Sequence, residues 1–541
     1  MMPCVHRCIS LNKSRIIIIL IAVLTLTGCA RKNEYLDDKY RNYYEIFPGV
    51  FYDTDGDGRG DINGVTCKLD YLKDLGINGI WLTPIMPSPS YHKYDVADYY
   101  DIDPELGTID DFKKLVSEAH SKHINVIIDM VINHTSTKKD WFIEATDYLK
   151  SIGVDDNRSI KELALECPYV DYYVFSDKYE GDGWYEVTGT KYYYYSAFSY
   201  TMPDLNHSNQ SVKSEIKDIA SFWIEDVGVD GFRMDAVKHL ENGDTAFNCS
   251  TLNDLYTYCQ SINPDFYMVS EVWDSEGTIA NYYSSGTDSF FNFDLANAEG
   301  RIIKTASGRL KASKLVNYLK QYEADFSSNN PEYIDAAFIT NHDMGRVCNA
   351  LLADEDALKF AGGLLSTMDG NTFIYYGEEI GMKSKGTKDE NKRLPMLWNY
   401  SCEDETVTDA NGMCEPFDNS DKDIHSKFDG VLLQLKDNNS ILAYYQKAFN
   451  LRLKYPEIAR GKINIDDVYT KDDIALITKD WNDQNITIIY NSSKDSEYTL
   501  ELNDSVYSKK KLVGALTVDG SEIKYKKGEL NMPPRSIVYL K

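Results

Sequence analysis

The sequence predicts an α/β fold: a (β/α)8 TIM barrel with an inserted domain after strand three and a C-terminal antiparallel β domain. Three observations lead there. Short apolar runs alternate with amphipathic stretches through the middle of the chain, the pattern of parallel strands joined by helical crossovers. Eight such runs can be picked out, the number that closes a barrel of this kind. Four of them end in carboxylates: Ile124 to Asp129, Phe232 to Asp235, Tyr267 to Glu271 and Phe338 to Asp343. Acids at the C-terminal tips of parallel strands converge on one face of a barrel, where barrel enzymes place their chemistry.

The elements follow in order. Tyr43 to Tyr52 reads as the first strand, Val65 to Leu75 as a helix and Gly79 to Pro84 as the second strand. Ile109 to His123 is an amphipathic helix, and the third strand ends at Asp129. Alternation then breaks. The stretch 134–206 is irregular and aromatic, with Tyr172-Tyr173, Trp184-Tyr185 and Tyr192 to Tyr195, and reads as a small inserted domain. It resumes with a helix over Val212 to Val227. Strands follow at Phe232 to Asp235, Phe266 to Glu271, Ser289 to Phe293, Ala336 to Thr340 and Asn371 to Tyr376. The barrel thus takes 43–133 and 207–456. From 457 to 541, short runs such as Ile474 to Thr478, Ile486 to Tyr490 and Ser536 to Leu540 sit between Asn, Asp, Gly and Lys. This is the texture of an antiparallel β domain.

The formal charge is 57 minus 85, or −28, which argues against nucleic acid and anionic membrane as partners. Aromatics make up 13% of residues, with 41 Tyr, enough for stacking platforms as well as a core. Lys13 and Arg15 precede the apolar run Ile16 to Leu26, which is too short for a comfortable membrane span and reads as an export signal over 1–28. Leu26-Thr27-Gly28-Cys29 resembles a lipoprotein cleavage site. Acylation of Cys29 would hold the protein at the bacterial cell surface through its lipid alone, with 29–42 as a tether. A monomer is expected. Seven cysteines remain beyond Cys29, an odd number without compact spacing and so not a disulfide framework; Cys402 with Cys414 is the pair to check.

Several carboxylates around one pocket are the equipment for breaking a glycosidic bond. The blocks that carry them are Asp129-Met130-Val131-Ile132-Asn133-His134, Gly231-Phe232-Arg233-Met234-Asp235-Ala236-Val237-Lys238-His239, Ser270-Glu271-Val272-Trp273 and Thr340-Asn341-His342-Asp343. In this order they resemble the conserved regions of the α-amylase family of glycoside hydrolases, family 13. Met202-Pro203-Asp204-Leu205-Asn206 resembles a fifth region of that family, and Gly377 to Met382 and Arg393 to Trp398 are also similar to stretches of the family. The resemblance covers nearly the whole chain downstream of the leader.

By motif position the resemblance implies Asp235 as nucleophile, Glu271 as general acid/base and Asp343 as the carboxylate that stabilises the transition state. Arg233, two residues before the nucleophile on the same strand face, would hold its charge and orientation. His134 and His342 match residues that hydrogen-bond the sugar at the cleavage point. His92 and Tyr94 match the loop after strand two, with Tyr94 as a stacking platform and Asp95 as a buttress. Arg346 is expected to reach the site. Lys238-His239 is typical of enzymes cutting α-1,4 links, where the pair contacts the leaving-group sugar. Met202 at the head of the fifth region points to a group between oligo-1,6-glucosidases and neopullulanases that includes lipoprotein α-amylases.

Asp53-Thr54-Asp55-Gly56-Asp57-Gly58-Arg59-Gly60-Asp61 places oxygen ligands at alternate positions like an EF-hand loop, but Gly64 replaces the closing Glu and no helix precedes it. It resembles the calcium loop after strand one in this family group. The implied ligands are Asp53, Asp55, Asp57, the Arg59 carbonyl and Asp61, around a structural Ca2+. The expected activity is retaining cleavage of internal α-1,4-glucosidic bonds in starch, glycogen and maltooligosaccharides. An α-glucosidase, neopullulanase or transglycosylase of the same family is the alternative, and a non-catalytic glucan-binding lipoprotein a distant one.

Overall fold

The computed structural model describes residues 36, 38–403, 406–407, 411–421, 426–503 and 505–541. The expected leader and Cys29 lie outside the described residues. The folded body begins at Lys39, so the last four residues of the expected tether belong to it. Lys39 bonds Asp288 at 2.9 Å, and Arg41 and Asn42 are buried. Among the described residues no helix is long and apolar enough to cross a membrane.

Eight parallel strands form the barrel: β1 (Asn42–Ile46), β2 (Gly79–Leu82), β3 (Asn125–Met130), β4 (Gly231–Met234), β5 (Tyr267–Ser270), β6 (Ser289–Phe290), β7 (Ala336–Phe338) and β8 (Asn371–Tyr375). The ladder runs β7-β8-β1-β2-β3-β4-β5-β6. A single parallel bridge, Phe291 to Ala336, joins the two ends. The strands are buried on both faces and therefore apolar. Their inward side chains fill the barrel: the Tyr43 ring stacks between Tyr267 at 5.4 Å and Phe373 at 4.8 Å, and Trp81 and Phe291 pack alongside.

The crossover helices bury one stripe each. The helix Ile109–Ser121 starts at a capping box, Thr108 with Asp111, and buries Phe112, Leu115, Val116 and Ala119. The first strand is shorter than expected because Pro48 opens a 3-10 turn over Pro48–Val50. The helix expected at 65–75 is two, Ile62–Cys67 and Leu69–Leu75, with a break at Lys68.

Between β3 and β4 the chain forms the helix Asp140–Ser151 and a small antiparallel sheet. Its strands are Phe175–Ser176, Trp184–Glu186 and Tyr193–Tyr195, the last in the centre. Phe142 packs against Tyr173, Phe175 and Tyr194 to give this segment its own aromatic core. The bridge His134–Asp204 and a bond from Leu205 N to the Asn133 carbonyl (2.9 Å) pin the end of this segment to the chain just past β3. After the barrel, five antiparallel strands, Lys462–Ile465, Ile474–Trp481, Gln484–Asn491, Ser536–Leu540 and Leu512–Thr517, make the main C-terminal sheet. The buried Lys479 reaches from that sheet to the carbonyls of Thr367 (2.7 Å) and Ile458 (2.6 Å) and to Asp369. All seven described cysteines are free thiols, so Cys402 and Cys414 are not bridged.

Candidate active site

β3 and β4 are register partners at Asp129 and Arg233. Asp235 and Glu271 sit one residue past β4 and β5. Backbone bonds that extend the ladder hold them there, from Asp235 N to Met130 O (3.3 Å) and from Glu271 N to Met234 O (3.0 Å). The Arg233 guanidinium, 1% exposed, donates to Asp129 (2.8 Å) and Asp235 (2.6 Å) through Nη1 and to Glu271 (2.7 Å) through Nη2. One planar fork therefore fixes three carboxylates. Through these three bonds Arg233 positions the acids of the site.

Ala236, next to Asp235, is left-handed at φ 47°, ψ 36°, a conformation that costs an L-residue roughly 1–2 kcal/mol. That geometry points its N–H at Glu271 Oε2, 3.3 Å away.

Asp343 lies beyond β7 and has its own cations. His342 Nε2 stands 3.0 Å from one of its oxygens and Arg393 Nη2 2.8 Å from the other. His342 also gives its Nδ1–H to the buried Glu45 at 2.6 Å. The Tyr94 hydroxyl donates to Asp129 at 3.0 Å and accepts from His342 Nε2 at 2.6 Å, with the two rings stacked at 5.5 Å. Both imidazole nitrogens are thus donors, which is the imidazolium form.

The electrostatics follow. Burial raises Asp235 to about 6, with Arg233 opposing and Asp129 adding to the rise. Burial also raises Glu271, reinforced by Asp235 and Asp343 against the pull of Arg233. For Asp343 burial works the same way but is overcome by His342 and Arg393, which hold it far below the usual carboxylate range. Burial alone would lower His342; Asp343 and Glu45 outweigh it and raise the ring to about 9. Glu271 raised and Asp343 lowered in one pocket suit a proton donor beside a permanent anion.

The other expected residues border this cluster. His134 is buried and lowered by burial to about 4, so it is neutral; its Nε2–H donates to the Tyr94 carbonyl at 3.2 Å. His92 Nδ1 accepts from Tyr94 N at 3.1 Å and bonds Ser90 Oγ, while Asp95 accepts from Ser88 (2.8 Å) and Ser90. Lys238 Nζ donates to Trp273 O (3.0 Å) and Asp274 (3.1 Å), tying the loop after β4 to the loop after β5. His239 meets Asn242 at 3.0 Å and the Phe198 ring at 5.0 Å.

Arg346 is a correction. It is buried away from the carboxylates, bonded to the Tyr376 carbonyl and packed over Tyr375 (4.3 Å) and Tyr376 (4.5 Å). Residue 346 starts a short helix, Val347–Ala350, as its N-cap, and this turns the side chain into the core. Sequence reasoning gave no role to Asp129, Glu45 or Arg393. The signals were an acid at the tip of β3, an acid inside an apolar strand, and the Arg that opens the block Arg393 to Trp398.

In the Asp-rich loop, oxygens of Asp53, Asp55 and Asp61 lie within 4.8 Å of one another. Asp57 is not in this group; its carboxylate accepts from Arg59 N at 2.7 Å, and the Arg59 side chain lies over Phe417. Three converging hard oxygen donors fit a calcium-like cation.

A closed parallel barrel with an arginine-linked carboxylate cluster at its C-terminal mouth defines a class: barrel enzymes that work by paired carboxylates. Comparison with known proteins sharpens this. Residues 45–461 match the family model for the α-amylase catalytic domain. Alpha-amylase 3 of Dictyoglomus thermophilum is 38% identical, over 92% of this chain and 93% of that protein. An oligo-1,6-glucosidase of Parageobacillus thermoglucosidasius is 29% identical, over 88% and 94%. The solved structure of Eubacterium rectale Amy13B superposes with a TM-score of 0.88 at 40% identity, covering 94% of this chain and 96% of that one. The chain belongs to the α-amylase family of glycoside hydrolases, family 13.

Proposed function

We propose that the protein is a retaining α-amylase that cuts internal α-1,4-glucosidic bonds in starch-like glucans. The observation that carries this is the Arg233 fork, which holds Asp235 and Glu271 on neighbouring strand tips while Asp343 stays anionic beside them. The Asp235 carboxylate attacks the anomeric carbon as Glu271 protonates the departing glycosidic oxygen, leaving a covalent glycosyl-enzyme. Glu271, now ionised, takes a proton from water as that water displaces Asp235. Asp343 faces the positive charge that develops on the sugar in both steps. Arg233 keeps Asp235 ionised and aimed, and Tyr94 with His342 forms one wall of the cleavage site.

Asp53, Asp55 and Asp61 would hold a Ca2+, which supplies cross-linking charge to the loop after β1 and takes no part in bond cleavage. Acylation of Cys29 would place the enzyme on the outside of the bacterial membrane.

Asp235→Asn and Glu271→Gln are each expected to lower turnover by roughly three to five orders of magnitude with an unchanged melting curve. Near wild-type rates would refute the roles. With the active enzyme, a spread of α-configured maltooligosaccharides from amylose is the expected product pattern. Glucose alone, panose from pullulan, or products longer than the substrate would move the reading to a glucosidase, neopullulanase or transferase.

A further inference from the structure

The small sheet between β3 and β4 has an inner and an outer face. Side chains alternate along each strand. Phe175 pairs with Tyr194 and lies with it on the inner face, where both are buried against Phe142. Trp184 pairs with Tyr195, and Glu186 and Ser176 pair with Tyr193, on the outer face. That face is partly open, and the Tyr193 ring lies 5.7 Å from that of Tyr179, which is 61% exposed. The core of the segment is already filled from the other side, so packing alone does not require these rings.

The outer face also connects to the cleft. The Trp184 ring lies 5.5 Å from Tyr195. The Tyr195 hydroxyl accepts from Asn242 Nδ2 at 2.8 Å, and Asn242 Oδ1 meets His239 at 3.0 Å. The half-exposed Phe198 covers the other side of His239. His239 follows the carboxylate of β4 by four residues. A row of aromatic rings, with the Tyr195 and Tyr193 hydroxyls and the Trp184 N–H as polar edges, therefore leads outward from His239.

We propose that Trp184, Tyr193 and Tyr179 form an outer binding track for the α-glucan chain, continuous with the cleft through Tyr195 and Asn242. The inference rests on the amylase reading and adds where a long substrate is gripped. Sugar rings present apolar C–H faces that stack on aromatic rings and hydroxyls that bond at their rims, and the uncharged rings suit a neutral polymer. Short maltooligosaccharides confined to the cleft would not reach the track.

The test uses the full chain with Asp235→Asn, so that glucan binds without being cut. Binding of amylose and of maltotriose is measured by calorimetry, before and after adding Trp184→Ala or Tyr193→Ala, with Tyr179→Ala as a third, most exposed variant. Each variant is checked by its melting curve. The expected result is amylose binding weakened about fivefold per ring with maltotriose binding unchanged. In the active background, KM for amylose rises while kcat on maltotriose stays put. Unchanged amylose binding in all three variants, or equal loss for both ligands, would overturn the track. If Asp235→Asn alone binds neither glucan, the amylase reading fails and the track with it.

Discussion

Arg233 makes the site a coupled system. Asp129, Asp235 and Glu271 share one guanidinium, so removing it would leave three carboxylates facing one another with little water. The pH profile should report this. Asp235 must be ionised to attack and is raised to about 6. The acidic limb of kcat/KM is therefore expected near pH 6, activity falling as pH drops below it. A limb near pH 4 would show that Arg233 and solvent offset burial more fully. His342 gives a second prediction. Its folded value, about 9, lies above its ordinary 6.5. That stabilisation is complete below about pH 6.5 and is lost as pH rises through 9, a swing of roughly 3 kcal/mol. His342→Asn should flatten the decline in melting temperature between pH 7 and 10. A parallel decline in variant and parent would remove His342 as its source.

At the scale of elements, the Asp-rich loop should couple metal to stability. At a hundredfold excess over Kd, a bound ion adds about 3 kcal/mol. Chelation should lower Tm by a few degrees, and Asp53→Asn with Asp61→Asn should abolish that response; an unchanged melt after verified metal removal counts against the loop. Loops also mark what the sequence made legible. All eight strands could be read because a buried parallel strand needs a run of apolar residues whatever surrounds it. Asp235 and Glu271 stood out because each directly follows such a run, whereas Asp343, five residues past Phe338, stood out through the block Thr340-Asn341-His342-Asp343. Boundaries were less so: Pro48 cut the first strand short, and the helix read over 212–227 changes at Phe222 from α to a wider π turn that closes at Gly228. Arg346 misled because adjacency to Asp343 in sequence says nothing about which way a helix start turns its side chain. Glu45 meets His342 across a separation of 297 residues and Arg393 meets Asp343 across one of 50, relations one sequence does not display.

Taken whole, the molecule places its chemistry around the circumference of a ring whose stitching is uneven. Asp235 and Glu271 follow β4 and β5, while Asp343 follows β7. Between them stands β6, two residues long, and the single bridge from Phe291 to Ala336. This seam has one residue pair where every other step around the barrel has at least two, so it is the natural place for local opening. Opening there would part Asp343 from its two partners while the remaining strands stay paired. Warmth should therefore silence this protein before it melts it: loss of turnover on heating is expected several degrees below the far-UV transition, reversible on cooling, with amides of residues 289–292 exchanging ahead of those in β3 and β4. Coincident curves would mean that the ring gives way all at once. Working temperature, for such a molecule, would be set by its thinnest stitch and not by the bulk of its core.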